Sequence, residues 1–268
     1  MPAAEARPPL LLLHGLMGSG RDWQALAEAL QADFTVLCPD LPGHGQCPET
    51  RCDFAHQAQY LMRWLEDQGH TSAHLLGYSM GGRLALYLAT HYPERVRSLL
   101  LESSSPGLAD PQARADRQVW DATWADRFEN EALSDVLQAW YAQPLFDSLR
   151  QWPGFDALLQ RRANENRGPA LARALREGGT GQMPPLWGAL AELILPVGCL
   201  SGQADARYSA LALEMQRCQP RLQLYSLPGG HNLHLENPTA WLRAVQQFYR
   251  LPVHHLTPQK RETHARKI

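Results

Sequence analysis

A candidate nucleophile lies in the first third of the chain, where Gly77-Tyr78-Ser79-Met80-Gly81 matches the pattern G-x-S-x-G. The apolar residues 73–77 predict a strand before it, and residues 81–90 predict a helix after it. A sharp turn between such elements strains the backbone at the serine and requires small flanking residues. The start of the helix also directs its positive end toward the hydroxyl. The pattern therefore predicts Ser79 as a reactive serine.

A serine needs a base, and the base needs an orienting carboxylate. Asp205 and His231 each follow a predicted strand, and the order Ser, Asp, His is the one that accompanies G-x-S-x-G. Asp205 is also suited to cap the helix after it, and both roles are compatible. His234 competes with His231 as the base. We favour His231, because it leaves the strand first within a Gly-Gly turn, and we expect a packing or surface role for His234.

Negative charge that develops on a substrate oxygen needs preformed hydrogen-bond donors. The glycine-containing stretch His14-Gly15-Leu16-Met17-Gly18 follows the first predicted strand, so we expect the Leu16 N–H to be one donor. The Met80 N–H, next to the nucleophile, is the other. Asp40 lies in a tight Pro-Gly turn after the second predicted strand, and we interpret it as a turn residue rather than a catalyst.

Short apolar runs alternate with amphipathic segments, which is typical of a mostly parallel sheet with helices on both faces. Strands are predicted at residues 10–13, 35–38, 73–77, 97–101, 196–200 and 222–226, and helices at 22–30, 53–68, 81–90, 208–218 and 238–249. Residues 104–190 show only helical patterns. We therefore predict an α/β core at 1–103 and 191–250, a helical cap at 104–190 above the carboxyl edge of the sheet, and a disordered tail at 251–268.

The composition excludes several classes of function. Lysine and arginine total 25 against 27 acidic residues, so no strong net charge attracts nucleic acid or an anionic membrane. The five cysteines lack C-x-x-C spacing, no apolar run approaches the length of a membrane span, and the 11 histidines show no metal-ligand spacing. We expect a cytoplasmic protein without metal or cofactor, a monomer or small homo-oligomer. An anionic small-molecule substrate is compatible with this charge balance, because a few local arginines suffice to bind it.

Five motifs together resemble the α/β-hydrolase fold family. They are HGLMG, PDLPGHG, GYSMGG, SGQAD and PGGHNLHLENP, and they span residues 14–238 in that family's order. The resemblance implies a hydrolase-type core with a Ser79–Asp205–His231 triad. In one respect the chain departs from the pattern. Only nine residues precede the first predicted strand, which leaves no room for the antiparallel strands that usually start this sheet.

Further stretches resemble the 2-succinyl-6-hydroxy-2,4-cyclohexadiene-1-carboxylate synthases of menaquinone biosynthesis. They are GYSMGGR, ESSSPGL followed by an arginine-rich helix, AWYAQPLF, and the weaker match Arg162-Ala163-Asn164. Members of that family are lyases that take a proton from a tricarboxylate, 2-succinyl-5-enolpyruvyl-6-hydroxy-3-cyclohexene-1-carboxylate, and eliminate pyruvate. The resemblance implies carboxylate-binding roles and pocket-lining roles for two sets of residues, which are Arg83, Arg117 and Arg162, and Tyr78, Trp140 and Tyr141.

The roles of these residues have simpler alternatives. Arg83 follows Ser79 by four positions and so shares its helix face, but it could also lie on the surface. Arg114, Arg127 and Arg161 are close enough in sequence to Arg117 or Arg162 that the register of the cap arginines stays open. The aromatic residues could be plain cap core.

Two other functions use the same features. A serine hydrolase, whether carboxylesterase, thioesterase or C–C bond hydrolase, needs the same triad, and an apolar pocket would favour an esterase. A non-catalytic binding protein on this fold predicts loss of a triad residue, and none is lost here. Several arginines converging on Ser79 would favour the lyase.

Overall fold

One six-stranded sheet organises the molecule in the computed structural model, which describes residues 7–250. The strands are β1 (Pro9–Leu13), β2 (Thr35–Leu37), β3 (Ala73–Tyr78), β4 (Val96–Glu102), β5 (Val197–Gly202) and β6 (Gln223–Leu227). Their order is β2-β1-β3-β4-β5-β6, and each neighbouring pair is parallel. The carboxyl ends of the strands therefore meet at one edge, where ligands bind in open α/β sheets. The prediction for residues 251–268 lies outside the described residues.

Twelve α-helices accompany the sheet in this part of the chain. They are α1 (Gln24–Leu30), α2 (Phe54–Asp67), α3 (Met80–His91), α4 (Pro111–Asn130), α5 (Leu133–Tyr141), α6 (Asp147–Arg150), α7 (Phe155–Glu165), α8 (Gly168–Gly178), α9 (Trp187–Glu192), α10 (Ala206–Cys218), α11 (Leu233–Glu236) and α12 (Pro238–Tyr249). The helix predicted at 22–30 begins as a 3₁₀ turn, Gly20–Trp23, and the strand predicted at 35–38 ends one residue earlier. Asp53 caps α2, because its side chain accepts from the His56 N–H.

Alternating side chains of the buried strands form two core layers. Leu11 and Leu13 of β1 pack with residues of α2, α3, α9 and α10 on one face, whereas Leu10 and Leu12 pack with α1 and α12 on the other. Both faces of the inner strands β1, β3, β4 and β5 are thus largely buried, which explains their mostly apolar sequences, whereas the edge strands β2 and β6 are partly exposed. No helix between residues 7 and 250 combines the length and hydropathy of a membrane span.

The cap lies between β4 and β5 in the chain and has a core of its own. Its buried cluster combines side chains from α4, α5, α7 and α8 with Met17 of the loop after β1. Helix α9, which falls within the range predicted for the cap, instead contributes Leu190 to the sheet core beside α3 and α10. An apolar helix of six residues carries too little pattern to show which layer it joins.

Candidate active site

Ser79 lies on the sharp turn between β3 and α3. Its backbone has φ 49° and ψ −107°, a conformation that L-residues rarely adopt. Glycine is required on both sides, because a Cβ on Gly77 would collide with the backbone of Gly81, and one on Gly81 would collide with the Leu13 carbonyl. The Ser79 N–H donates to the Glu102 carbonyl of β4 (2.8 Å), which fixes the turn against the sheet. The hydroxyl is thereby held at the carboxyl edge of the sheet.

His231 and Asp205 complete a hydrogen-bonded chain with Ser79. His231 Nε2 lies 3.2 Å from Ser79 Oγ, and its Nδ1 lies 2.7 Å from Asp205 Oδ2. A carboxylate can only accept, so Nδ1 donates to Asp205, and Nε2 is left to accept the serine proton. Asp205 Oδ1 also accepts from the Tyr208 N–H at the start of α10 (3.0 Å). Asp205 therefore contacts His231 and caps α10 at the same time.

His234 lies behind the site in a buried polar cluster. Its Nδ1 is 2.8 Å from Glu102 Oε1, and the other carboxylate oxygen accepts from Trp241 Nε1 (2.7 Å). The ring of His234 packs edge-on to Tyr78, 4.8 Å between centroids. The contacts agree with a packing role, and the buried pair joins β4 to the loop that carries His231.

A cavity of about 780 Å³ opens above Ser79, between the sheet edge and the cap. Both candidate oxyanion donors, Leu16 and Met80, line it. Met80 is the first residue of α3, so its N–H has no acceptor within the helix. The loop of Leu16 approaches closely, since a Cβ on Gly15 would collide with the Tyr78 ring. The structure thus places both candidate donors at the cavity that contains Ser79.

Arg83 extends from α3 into this cavity. The residue is only 7% exposed, and its side chain makes no hydrogen bond or ion pair with any residue from 7 to 250. Burial lowers the pKa of Arg83 to about 10, which still leaves the guanidinium charged at neutral pH. A buried cation without a partner is costly, so its position facing an open cavity favours an anionic ligand there.

Arg117 and Arg162 reach the same cavity from the cap, and each has a buried carboxylate beside it. Arg117 Nε donates to Asp121 (2.8 Å), which also accepts from the Gly181 N–H. Arg162 Nη2 donates to Asp22 (3.2 Å). Asp22 uses one nitrogen of Arg162, whose Nε and Nη1 are buried in the cavity wall without a hydrogen-bond partner among residues 7–250. All three predicted arginines, Arg83, Arg117 and Arg162, therefore line the cavity that contains Ser79.

The aromatic candidates complete the walls, because Tyr78, Trp140 and Tyr141 all line the cavity. Trp140 and Tyr141 are also buried in the cap cluster, so a packing role and a lining role coexist. The neighbouring arginines considered from the sequence are outside the lining. Arg127 pairs with Glu131 on the surface, and Arg161 binds Asp22. The structure thus places Arg117 and Arg162, rather than their neighbours, at the cavity.

Known proteins resemble the chain in sequence and in structure. The model of the alpha/beta hydrolase fold family matches residues 8–176. The 2-succinyl-6-hydroxy-2,4-cyclohexadiene-1-carboxylate synthase of Pectobacterium atrosepticum is 38% identical over 93% of this chain and 97% of its own. The chain belongs to this synthase family. MenH from S. aureus has a similar structure, with a TM-score of 0.86 and 30% identity over 92% of this chain and 95% of its own.

A malate-bound thermophilic esterase from Thermogutta terrifontis is also similar, with a TM-score of 0.80 and 25% identity over 91% of this chain and 90% of its own. The family and the α/β-hydrolase fold predicted from the motifs are therefore confirmed. As a member of the synthase family, the chain is an enzyme. The first strand of its sheet in the described chain is β1, next to the edge strand β2, and no antiparallel strand precedes β1 within residues 7–250.

Some features of this synthase-family site were missed in the sequence. Arg207 lines the cavity from the core side, two residues after Asp205, and Trp120 lines it from α4. The position of Arg207 beside a candidate triad residue was a usable signal. Asp22 and Asp121 have no such signal, because a single sequence does not show which carboxylate will pair with a given arginine. Within the described chain, no group of three or more His, Cys, Asp or Glu side chains could hold a metal ion.

Asp22 should make the free energy of unfolding depend on acid pH. Burial alone would raise its pKa, but Arg162 and Arg161 outweigh burial and lower the pKa from 3.8 to about 2. Because the folded value is the lower one, the stabilisation is complete above the unfolded value and is lost as pH falls through the folded value. The shift corresponds to about 2 kcal/mol. Urea unfolding should show the advantage of wild type over Asp22→Asn shrinking from about pH 5 to about pH 2.5. A constant difference would contradict the assignment.

Proposed function

We propose that this enzyme abstracts a proton from 2-succinyl-5-enolpyruvyl-6-hydroxy-3-cyclohexene-1-carboxylate and eliminates pyruvate, giving 2-succinyl-6-hydroxy-2,4-cyclohexadiene-1-carboxylate. The observation that carries the proposal is the convergence of Arg83, Arg117 and Arg162 on the cavity above Ser79. The substrate carries three carboxylates, and a guanidinium binds a carboxylate with paired hydrogen bonds. The relatives that carry this synthase name cover nearly the whole chain, which supports the same assignment.

The triad acts in this proposal as a proton relay rather than as an acyl-transfer device. Ser79 takes the proton from the substrate carbon while its own hydroxyl proton passes to His231 Nε2, which lies 3.2 Å away. Asp205 fixes the tautomer and stabilises the imidazolium that forms. The electron pair released from the C–H bond forms the new double bond as the C–O bond to the enolpyruvyl group breaks. The leaving group then takes up a proton to become pyruvate.

Charge stabilisation and exclusion of water come from the cavity walls. We assign the Leu16 and Met80 N–H groups to the oxygen on which charge develops as the proton leaves. Tyr78, Trp140 and Tyr141 form apolar walls with polar tips, which orient the ring and strengthen the contacts of the arginines by excluding solvent. The proposal needs no metal ion or organic cofactor for any step.

A comparison of two substrates tests the proposal directly. Purified enzyme is supplied with the enolpyruvyl tricarboxylate while pyruvate is measured with a coupled dehydrogenase, and a short p-nitrophenyl ester is assayed in parallel. We expect rapid pyruvate release, because the arginines of the cavity bind the carboxylates of the tricarboxylate. We expect weak ester cleavage, because the neutral ester gains nothing from these arginines.

The opposite result would assign a different function to the same site. Fast ester cleavage without pyruvate would favour a serine hydrolase, for which the similar structure of the T. terrifontis esterase is the precedent. An enzyme premixed with a serine-directed phosphonate is the control, because activity that survives this treatment does not arise at Ser79.

A further inference from the structure

A polar joint connects cap helix α7 to the loop after β1. We call it the α7 joint, and it joins residues 161–166 to residues 17–22. On its solvent side, Glu165 accepts from Ser19 Oγ and from Arg21 Nη1, both at 2.8 Å. Deeper in, Asn166 Nδ2 donates to the Met17 carbonyl (2.9 Å). These contacts tie the cap to the segment of the core that carries Leu16.

Asp22 is the buried centre of the α7 joint. Its side chain is fully buried, with Oδ1 2.5 Å from Arg161 Nη2 and Oδ2 3.2 Å from Arg162 Nη2. Removing a carboxylate from water costs several kcal/mol unless its partners have good geometry. The two guanidiniums supply those partners. The position of Asp22 therefore depends on α7, and the position of Arg162 depends on Asp22.

Arg162 still has donors to offer a ligand. It lines the cavity, and its Nε and Nη1 are buried without a well-formed hydrogen bond to any residue in the described range 7–250. The Tyr141 ring and hydroxyl are its neighbours on the cavity side. Because Asp22 occupies Nη2, it fixes the rotation of the guanidinium and so decides where the free N–H groups point.

The same carboxylate packs against the loop of the candidate oxyanion donor. A Cβ on Gly18 would lie 2.6 Å from Asp22 Oδ2, so only glycine allows the carboxylate this close. Gly18 N–H donates to the Gly15 carbonyl (2.9 Å), and the turn it closes contains Leu16. Met17, at φ 64°, is held within the turn by Asn166. A shift of Asp22 would therefore move the Leu16 N–H.

We infer that Asp22 is a positioning residue that sets two parts of the site together, the Arg162 guanidinium that receives a substrate carboxylate and the Leu16 turn that stabilises developing charge. Asp22 in this way links the binding of a substrate carboxylate by the cap to the stabilisation of developing negative charge by the core. The carboxylate-binding part of the inference rests on the proposed function, whereas the part concerning the turn does not.

Two assays on purified variants test the inference. The first measures KM and kcat for pyruvate release from the tricarboxylate. The second measures how fast an uncharged organophosphonate ester inactivates the enzyme, since attack by Ser79 Oγ on phosphorus expels the leaving group and uses the oxyanion donors but no arginine. For Asp22→Asn we expect KM to rise about 20-fold and phosphonate inactivation to slow about 10-fold, because the substitution weakens the contacts with Arg161 and Arg162 that hold this side chain against the Leu16 turn.

Two comparison variants separate the parts. Arg162→Gln should raise KM to a similar degree but leave phosphonate inactivation within about twofold of wild type, since the turn keeps Asp22 and Arg161. Glu131→Gln removes an exposed carboxylate that also pairs with an arginine, Arg127, and should change neither assay. Wild-type values for Asp22→Asn in either assay would overturn the inference.

Folding is checked by circular dichroism and thermal unfolding. If Asp22→Asn does not fold, Glu165→Gln loosens the α7 joint without leaving a buried cation alone, and phosphonate inactivation should then slow about threefold. An unchanged rate would again overturn the inference. If the proposed function is wrong, wild-type enzyme will release no pyruvate. Phosphonate inactivation of Asp22→Asn should still be slower than that of wild type, so the two failures are distinguishable.

Discussion

Replacement of Ser79 by alanine should lower kcat for pyruvate release by about 10³-fold or more, because it removes the group placed to take the proton. His231 would remain, but its Nε2 is held toward Ser79 Oγ rather than toward the substrate carbon. Alanine tolerates the φ of 49° no worse than serine does, so the fold should survive. Stopped-flow or coupled assays of pyruvate, with thermal unfolding in parallel, measure both effects.

The matched control is Ser134→Ala on the exposed surface of α5, which should behave as wild type in every assay. Binding provides a second check. Since the arginines are untouched, the Kd for the substrate should stay within about threefold of wild type in Ser79→Ala. A variant with full turnover would remove Ser79 from the mechanism and with it the relay through His231.

Replacement of Arg83 by methionine should lower kcat/KM for the tricarboxylate by about 10²-fold and at the same time raise the melting temperature. Both effects have one cause. Arg83 is buried and has no partner in the described chain, so its charge costs stability until an anion arrives. Methionine keeps most of the volume and removes the charge. Steady-state kinetics and calorimetry of the same preparations test the pair of effects.

Two further variants bracket this result. Arg83→Lys keeps a charge but loses the planar pair of donors, so kcat/KM should fall to an intermediate value. Arg217→Met, at an exposed position on α10, should leave kinetics unchanged and move the melting temperature little. If Arg83→Met kept the wild-type kcat/KM, the lyase proposal would lose its main support. A lowered melting temperature would instead show that Arg83 has a stabilising partner.

Sequence patterns located the reacting groups well because their constraints are local. Gly77 and Gly81 reveal the turn around Ser79, since no other residue fits there. The positions of Asp205 and His231 follow from the rule that a parallel sheet presents the carboxyl ends of its strands at one edge. Apolar runs likewise predicted the inner strands to within a residue or two, because both of their faces are buried.

Sequence patterns did not predict the tertiary contacts between segments that are far apart in the chain. Cap helices α4, α7 and α8 have two or three arginines each, and periodicity alone does not decide which arginine faces Ser79. For Arg117 and Arg162 the choice came from the family resemblance. The partners of these arginines, Asp121 and Asp22, are set by tertiary packing, and Asp22 is 140 residues away from Arg162 in the chain. The layer that α9 joins depends on packing in the same way.

The insertion of the cap between β4 and β5 has a consequence for the order in which the enzyme is assembled. These strands are neighbours in the sheet, yet the cap separates them in the chain. Closing the long chain segment between β4 and β5 costs conformational entropy before β5 makes any stabilising contact. Strands β1 to β4 can therefore pair well before β5 joins them. Asp205 and His231 both follow β5. We therefore expect the turn that carries Ser79 to form on a four-stranded partial sheet during synthesis, and its hydrogen-bonded chain with His231 and Asp205 to be completed only when β5 and β6 join.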